Sequence, residues 1–282
     1  MILISEDGKS LVKIETWDDV IERPGYVEKI DAGKVKLKAI IGRYHVEPKK
    51  PCGILSCGTA HNMGYLVVCE GGIETNIGNK CGKNIFGVDF QTLEKTFTKD
   101  TNAQRFRERI AEFINQIGPI EQEAKFLLDG ENQGEWCYQN MHAHMSRYFD
   151  EKTSDALLRR SSLGENRVFQ EVALQGKELE AAIESGSKSR FQAKAIATIS
   201  GIGAVRDYKK LRSILRIDLG EELQTFKALD PDQLNYDELK RWNSWANRAE
   251  NKLRDAKNII ADCQRFLVES NIQTIRSYKM YL

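Results

Sequence analysis

Between Lys34 and Ile41 the chain alternates charge and hydrocarbon. Lys34, Lys36 and Lys38 fall on one side and Val35, Leu37 and Ala39 on the other, the period of a strand with one wet face. Farther on, "GYLVVCEGGIETNIG" sets two apolar runs around Gly71-Gly72 and predicts a hairpin. "WDDVIERPG" predicts a short helix stopped before Pro24. Beyond Gly87 the period becomes helical. Phe106, Ile110, Phe113 and Ile117 form one stripe ended by Gly118-Pro119, and Ile120, Ala124 and Leu127 begin the next. Leu239, Trp242, Ala246, Ala249, Leu253, Ala256, Ile260, Cys263 and Leu267 advance in steps of three and four, an a/d seam whose alanines admit a close partner helix. Phe169, Val172, Gly176, Leu179 and Ile183 repeat that spacing. The pattern predicts an α+β chain: a small N-terminal α+β domain over residues 1–87, then a mostly α-helical, coiled-coil-like bundle over 88–282. Breaks at Gly118-Pro119 and Asp230-Pro231 favour antiparallel helices paired within the chain; a homodimer through the long terminal helix is the alternative.

Composition narrows the class. The 282 residues are 41% hydrophobic and 29% charged, and no apolar run approaches the roughly 20 residues that span a bilayer. The start, "MILISEDGKSLVKIE", lacks a basic leader and an apolar core, so the expected location is cytoplasmic. In a reducing compartment six cysteines point to metal ligands or buried thiols more than to disulfides. Four of them, Cys52, Cys57, Cys69 and Cys81, crowd into one short stretch. The formal net charge of +1 hides a basic segment between Gly186 and Ile217, with Lys188, Arg190, Lys194, Arg206, Lys209, Lys210, Arg212 and Arg216 against Asp207.

The candidate chemistry begins at Cys57-Gly-Thr-Ala-His61, which is nearly echoed by Cys81-Gly-Lys-Asn-Ile85 with the hairpin between. Zinc takes four ligands, chiefly thiolates and imidazoles, and glycine beside a cysteine lets the chain turn tightly around the ion. The order of knuckle, hairpin, second knuckle and helix resembles the treble-clef class of zinc fingers over about residues 52–97. That resemblance implies Cys57 and His61 as the first ligand pair and Cys81 in the second. The echo ends in Ile85, which cannot bind zinc. Cys52 in "PCGILSCG" is the choice for the missing ligand, with Cys69 and His45 in reserve. Thiolate-rich ligation favours a closed, structural site over a catalytic one. The competing reading is a set of buried thiols in a metal-free domain.

A second candidate is "FQAKAIATISGIGAVRDYKKLRSILRI". Its tight Gly201-Ile202-Gly203 turn between two amphipathic segments resembles a helix-hairpin-helix module. The resemblance implies backbone N–H groups at Gly201 and Gly203 turned to phosphate, with Arg206, Lys209, Lys210 and Arg212 following the nucleic-acid backbone. Asp207 departs from that pattern. No phosphate loop, nucleophile elbow, dinucleotide fingerprint or metalloprotease helix is present. The sequence therefore leads to a non-catalytic zinc protein that binds nucleic acid, DNA first. The alternative is an adaptor or scaffold that docks proteins through its zinc domain and heptad helices.

Overall fold

The structure, a computed structural model, describes residues 2–5 and 12–282. It divides into two compact units, Met1–Glu112 with Asp230–Asn243, and Phe113–Leu229 with Ser244–Leu282.

The first unit is built on a five-stranded antiparallel sheet in the order β2-β1-β3-β4-β5: β1 Ile2–Ile4, β2 Val12–Ile14, β3 Leu37–Pro51, β4 Ala60–Cys69 and β5 Glu74–Ile77. The expected strand begins at Leu37, and Lys34, Lys36 and Lys38 are exposed as the alternation requires. The glycine hairpin also forms, with the Cys69 N–H donating to the Ile73 carbonyl (2.8 Å) and both Gly71 and Gly72 at positive φ. Short helix α1 covers Asp18–Ile21. The unbroken run "YLVVC" on β4 is explained by burial on both faces. Tyr65, Val67 and Cys69 join one core with Ile54, Ile77, Phe90 and Phe97, while Leu66 joins another with Ile2, Ile4, Ile41, Tyr44 and Val20. Phe90 and Phe97 come from helix α2, Asn79–Asp129. Gly87, at φ 54° and ψ −123°, interrupts α2 eight residues past its start.

In the second unit α2 is followed by α3 Gly134–Ala143, a π-helical turn, α4 Glu151–Leu163, β6 Arg167–Ala173, α5 Gly176–Glu184, β7 Phe191–Thr198 and α6 Gly203–Asp207. Next, α7 Lys210–Arg212 continues through a π-helical stretch, Ser213–Glu221, into α8 Glu222–Lys227. Long helix α9, Tyr236–Phe266, contributes to both units, and α10 spans Glu269–Tyr278. The α9 seam lies where its heptads put it: Leu239, Trp242, Ala246, Ala249, Leu253, Ala256, Ile260 and Cys263 are all buried.

Three expectations are corrected. Gly118-Pro119 does not end a helix; α2 runs through Pro119, whose ring is exposed while Ile117, Ala124 and Leu127 stay buried on both sides of it. The missing proline hydrogen bond thus falls on the solvent side, where water serves the freed carbonyl. The bundle is not uniformly antiparallel. Phe113 meets Trp245 edge-on and Glu123 pairs with Lys257, so α2 and α9 advance in the same direction. The segment through α8 runs against α9, since Phe226 stacks on Trp245 and Asp218 pairs with Lys252. Lastly, Phe169 and Val172 lie on a strand, because β6 and β7 form a two-stranded hairpin. The branched and aromatic Val168, Phe169 and Val172 favour extended backbone. Gly176 at φ 53° separates them from α5, which does carry Leu179 and Ile183.

Phe113, Phe226 and Trp245 form the aromatic centre of the second unit, with centroids 4.7 to 6.2 Å apart. Phe226 is fully buried. Replacing it by alanine is expected to cost about 3–5 kcal/mol of stability, read from urea unfolding followed by circular dichroism. A loss below about 1 kcal/mol contradicts this packing.

Candidate metal centre

The loop between β3 and β4 is shaped by three backbone hydrogen bonds. Cys52 N–H donates to the Thr59 carbonyl (3.1 Å), Cys57 N–H to the Ile54 carbonyl (3.0 Å) and Gly53 N–H to the Asn76 carbonyl of β5 (2.7 Å). Gly53 is required by this last contact, because a Cβ there would fall 2.0 Å from the Thr75 hydroxyl oxygen. Cys81 lies in the first turn of α2, next to Gly82, where a Cβ would fall 2.4 Å from the Phe90 ring. Gly53 thus lets the loop close on β5, and Gly82 lets the start of α2 pack against the Phe90 ring of the same helix.

The result is a cluster of three sulfurs, Cys52, Cys57 and Cys81, all within 4.8 Å of one another. Cys52 is buried and the other two are half-buried. The thiols do not ionise alike. The Thr59 backbone N–H, with help from Cys81, holds Cys57 down at about 7. Burial, reinforced by hydrogen bonds with Cys57 and Cys52, pushes Cys81 up to about 12. A first thiolate thus suppresses the next, and a cation among the sulfurs removes that conflict. The three cysteines lie close enough to bind a metal ion.

His61 stands outside this three-sulfur group, on β4 opposite Lys50. Its Nδ1 is 2.9 Å from the Tyr44 hydroxyl, and its Nε2 is buried with no hydrogen-bond partner. Gly78 packs against the ring, where a Cβ would sit 3.1 Å from Nε2. Burial lowers the imidazole pKa and favours the neutral form. Tyr44 in turn accepts from Asn76 Nδ2 (3.1 Å); the same amide donates to the Pro51 carbonyl (2.9 Å) and accepts from the Tyr26 hydroxyl (2.8 Å). Sequence reasoning missed Tyr44 and Asn76; a buried asparagine inside a strand pattern is the one signal that pointed to them. Of the reserve ligands, Cys69 belongs to the sheet core with its thiol pKa raised by burial, and His45 lies on β3 opposite Met63; neither is in the sulfur group.

The glycine turn at 201–203 has a different setting from the one its sequence suggested. Phe191–Thr198 is a strand, so no first helix exists and the helix-hairpin-helix geometry is not formed. Alternating "FQAKAIAT" paired with β6 accounts for that strand. Gly201, at φ 63°, packs on α9, where a Cβ would fall 2.1 Å from the Asp262 carbonyl oxygen; at Gly203 it would fall 2.8 Å from an Asp262 carboxylate oxygen. A carboxylate stands where phosphate was expected. The cations nearby are engaged. Arg206 and Lys210 both pair with Asp207 at 2.7 Å, and Arg212 and Arg216 with Glu135 at 3.1 and 2.9 Å. Arg212 also lies 4.1 Å over the Tyr138 ring, and Lys209 lies over Tyr208.

Among the described residues no helix is long and apolar enough to cross a membrane. The architecture is thus a mixed α and β protein with a three-cysteine cluster at the start of its longest helix. No protein-family model matches the chain, and neither a curated protein nor a solved structure matches it.

Glu135 tests the pairing of the basic segment. Burial pushes its carboxyl up, but hydrogen bonds from Arg216, Gln139 and Arg212 outweigh this and hold it below the ordinary value of 4.5. A depressed folded pKa gives stability that is present above the unfolded value and lost as pH falls through the folded one. Glu135→Gln is therefore expected to be less stable than wild type at pH 7, by at most about 1 kcal/mol at this partly exposed site. The gap should close below pH 4.5 in urea unfolding. A gap that widens in acid contradicts the assignment.

Proposed function

We propose that this chain is a non-catalytic zinc protein whose first unit binds nucleic acid, with DNA the first candidate. The observation that carries the reading is the three-sulfur cluster. Soft thiolates brought together from a loop and a helix start suit zinc, which completes a tetrahedron with one more donor. His61 is the fourth ligand in this proposal: it stands outside the three-sulfur group, so its ring must move toward the sulfurs to bind, and its buried, partnerless Nε2 and neutral ring support that role. Ligation through Nε2 leaves the proton on Nδ1, which then donates to the Tyr44 oxygen. Four protein donors close the site to substrate, and its work is to hold the β3–β4 loop against α2.

Phosphate contacts are assigned to exposed lysines of the same unit. Lys36 precedes β3, Lys38 lies at its start and Lys49 near its end, all three exposed. They are preferred over Lys209, Lys210 and Arg212, because two of those three cations already have a carboxylate partner.

Two measurements test this reading. Elemental analysis should find about one zinc per chain, and Cys81→Ser should abolish it. Binding of labelled DNA, followed by fluorescence anisotropy, should weaken steeply with salt, and replacing Lys36, Lys38 and Lys49 by glutamine should flatten that dependence. Purified protein without metal, or without any salt-sensitive affinity for DNA, contradicts the corresponding half of the proposal.

A second reading, the protein-docking adaptor, is favoured by one specific observation. On one face of the β6–β7 hairpin, Phe169 opposes Ala195 and Ala173 opposes Phe191, with Glu171 opposite Ala193 between them. All six residues are exposed, so the face is apolar apart from one carboxylate. This reading predicts partner binding that survives high salt.

A further inference from the structure

Beside the cysteine loop the first unit has a cavity of about 280 Å³. Trp17, Ile21, Tyr26 and Pro51 give it apolar and aromatic walls, and Lys29 and Lys50 bring two cations to it. Resting on the nucleic-acid reading above, we infer that this cleft receives one unpaired nucleobase, stacked on Trp17, with the adjoining phosphate on Lys50 and Lys29. The protein then prefers single strands to duplex.

The cleft is held in shape before any ligand arrives. Thr16 and Asp19 fix the start of α1 reciprocally: Thr16 N–H donates to the Asp19 carboxylate (3.0 Å), and Asp19 N–H donates to the Thr16 hydroxyl (3.3 Å). Trp17, at that helix start, packs edge-on to Tyr44 with centroids 4.9 Å apart and planes at 71°, which sets the tilt of the indole. Tyr26 is fixed through its hydroxyl by Asn76, itself only 1% exposed. Pro51 is placed by the same amide, which donates to its carbonyl.

The charges stand where a nucleotide needs them. Lys50 Nζ lies 5.4 Å from the centroid of the Trp17 ring, a cation over the π face that an incoming base would take. Its long stem lets the ammonium follow the phosphate when the base enters. Lys29 Nζ donates to the Cys52 carbonyl and so stands between the cleft and the metal loop. Glu28 also lines the cavity and offers a carboxylate acceptor to a base N–H, such as thymine N3–H. The volume is slightly below the usual range of ligand pockets, about 300–1,000 Å³, enough for one base and not for a duplex. Bases within a duplex have no free face to offer. A flat aromatic wall beside lysines is the arrangement by which proteins hold single strands without reading sequence.

The test uses the whole 282-residue chain as purified and fluorescein-labelled dT15, beside a 15-base-pair duplex, in fluorescence anisotropy at low salt. Wild type should bind dT15 more tightly than the duplex. Trp17→Ala should weaken dT15 binding tenfold or more and leave duplex binding within twofold; Trp17→Phe should retain most of the affinity. Because Trp17 packs on Tyr44, Lys50→Met serves as the second variant, and circular dichroism melts check that each protein is folded. Lys50→Met should also weaken dT15 binding more than duplex binding. If wild type binds both probes and the folded Trp17→Ala and Lys50→Met proteins bind dT15 as wild type does, the cleft assignment is overturned while the nucleic-acid reading stands. If wild type binds neither probe, both are overturned.

Discussion

The approach of Cys52, Cys57 and Cys81 is the constraint on which the first unit turns. It joins the loop that ends β3 to the first turn of α2, beside Gly53, which lets the loop close on β5, and Gly82, which lets the helix start pack on Phe90. Hydrogen bonding holds the Cys57 thiol down while burial pushes the Cys81 thiol up, so the two ionise unequally. The arrangement is a fold element whose three sulfurs lie close enough to bind a metal ion, and binding energy at such a cluster is folding energy. That matters most in a unit whose sheet includes strands of three and four residues.

A chain of polar side chains extends from this loop through the sheet. His61 meets Tyr44, Tyr44 meets Asn76, and Asn76 holds both Tyr26 and the Pro51 carbonyl. Asn76 thereby uses both of its amide donors and its carbonyl, which is what a buried amide requires. The same residues orient the imidazole on one side and shape the Trp17 cleft on the other. On the proposed reading, metal binding and nucleotide binding share one rigid scaffold, and a loop shifted by metal loss would also shift Pro51 and the cleft wall.

Much of this was legible where local period and tertiary burial agree. The Lys34–Ala39 alternation, the Gly71-Gly72 hairpin and the α9 seam all formed because their apolar positions could be buried only one way. Clustering and adjacent glycines likewise singled out three cysteines that the fold brings together. The failures have physical causes. A proline reads as a stop, yet α2 runs through Pro119 because the burial of Ile117, Ala124 and Leu127 on both sides of it offsets a cost of about 3 kcal/mol. The spacing of Phe169 to Ile183 fits a helix, but the branched and aromatic residues at its start pair with β7 as a strand, and Gly176 separates that strand from α5. Gly201 and Gly203 resembled a phosphate turn because sequence cannot show that Asp262, far along the chain, fills the space before them. Nothing local marks Trp17, Tyr26 and Asn76 as neighbours, since they meet only through Tyr44, which packs on Trp17 and accepts from Asn76, and through the Tyr26 hydroxyl donating to Asn76.

The central claim is that Cys52, Cys57, Cys81 and His61 enclose one zinc ion. X-ray absorption at the zinc edge of the purified protein tests it most directly. The account predicts three sulfurs at about 2.3 Å and one nitrogen at about 2.0–2.1 Å, with that nitrogen lost in His61→Ala. A shell of nitrogen and oxygen alone, or a three-sulfur shell whose light-atom ligand is unchanged in His61→Ala, would contradict it.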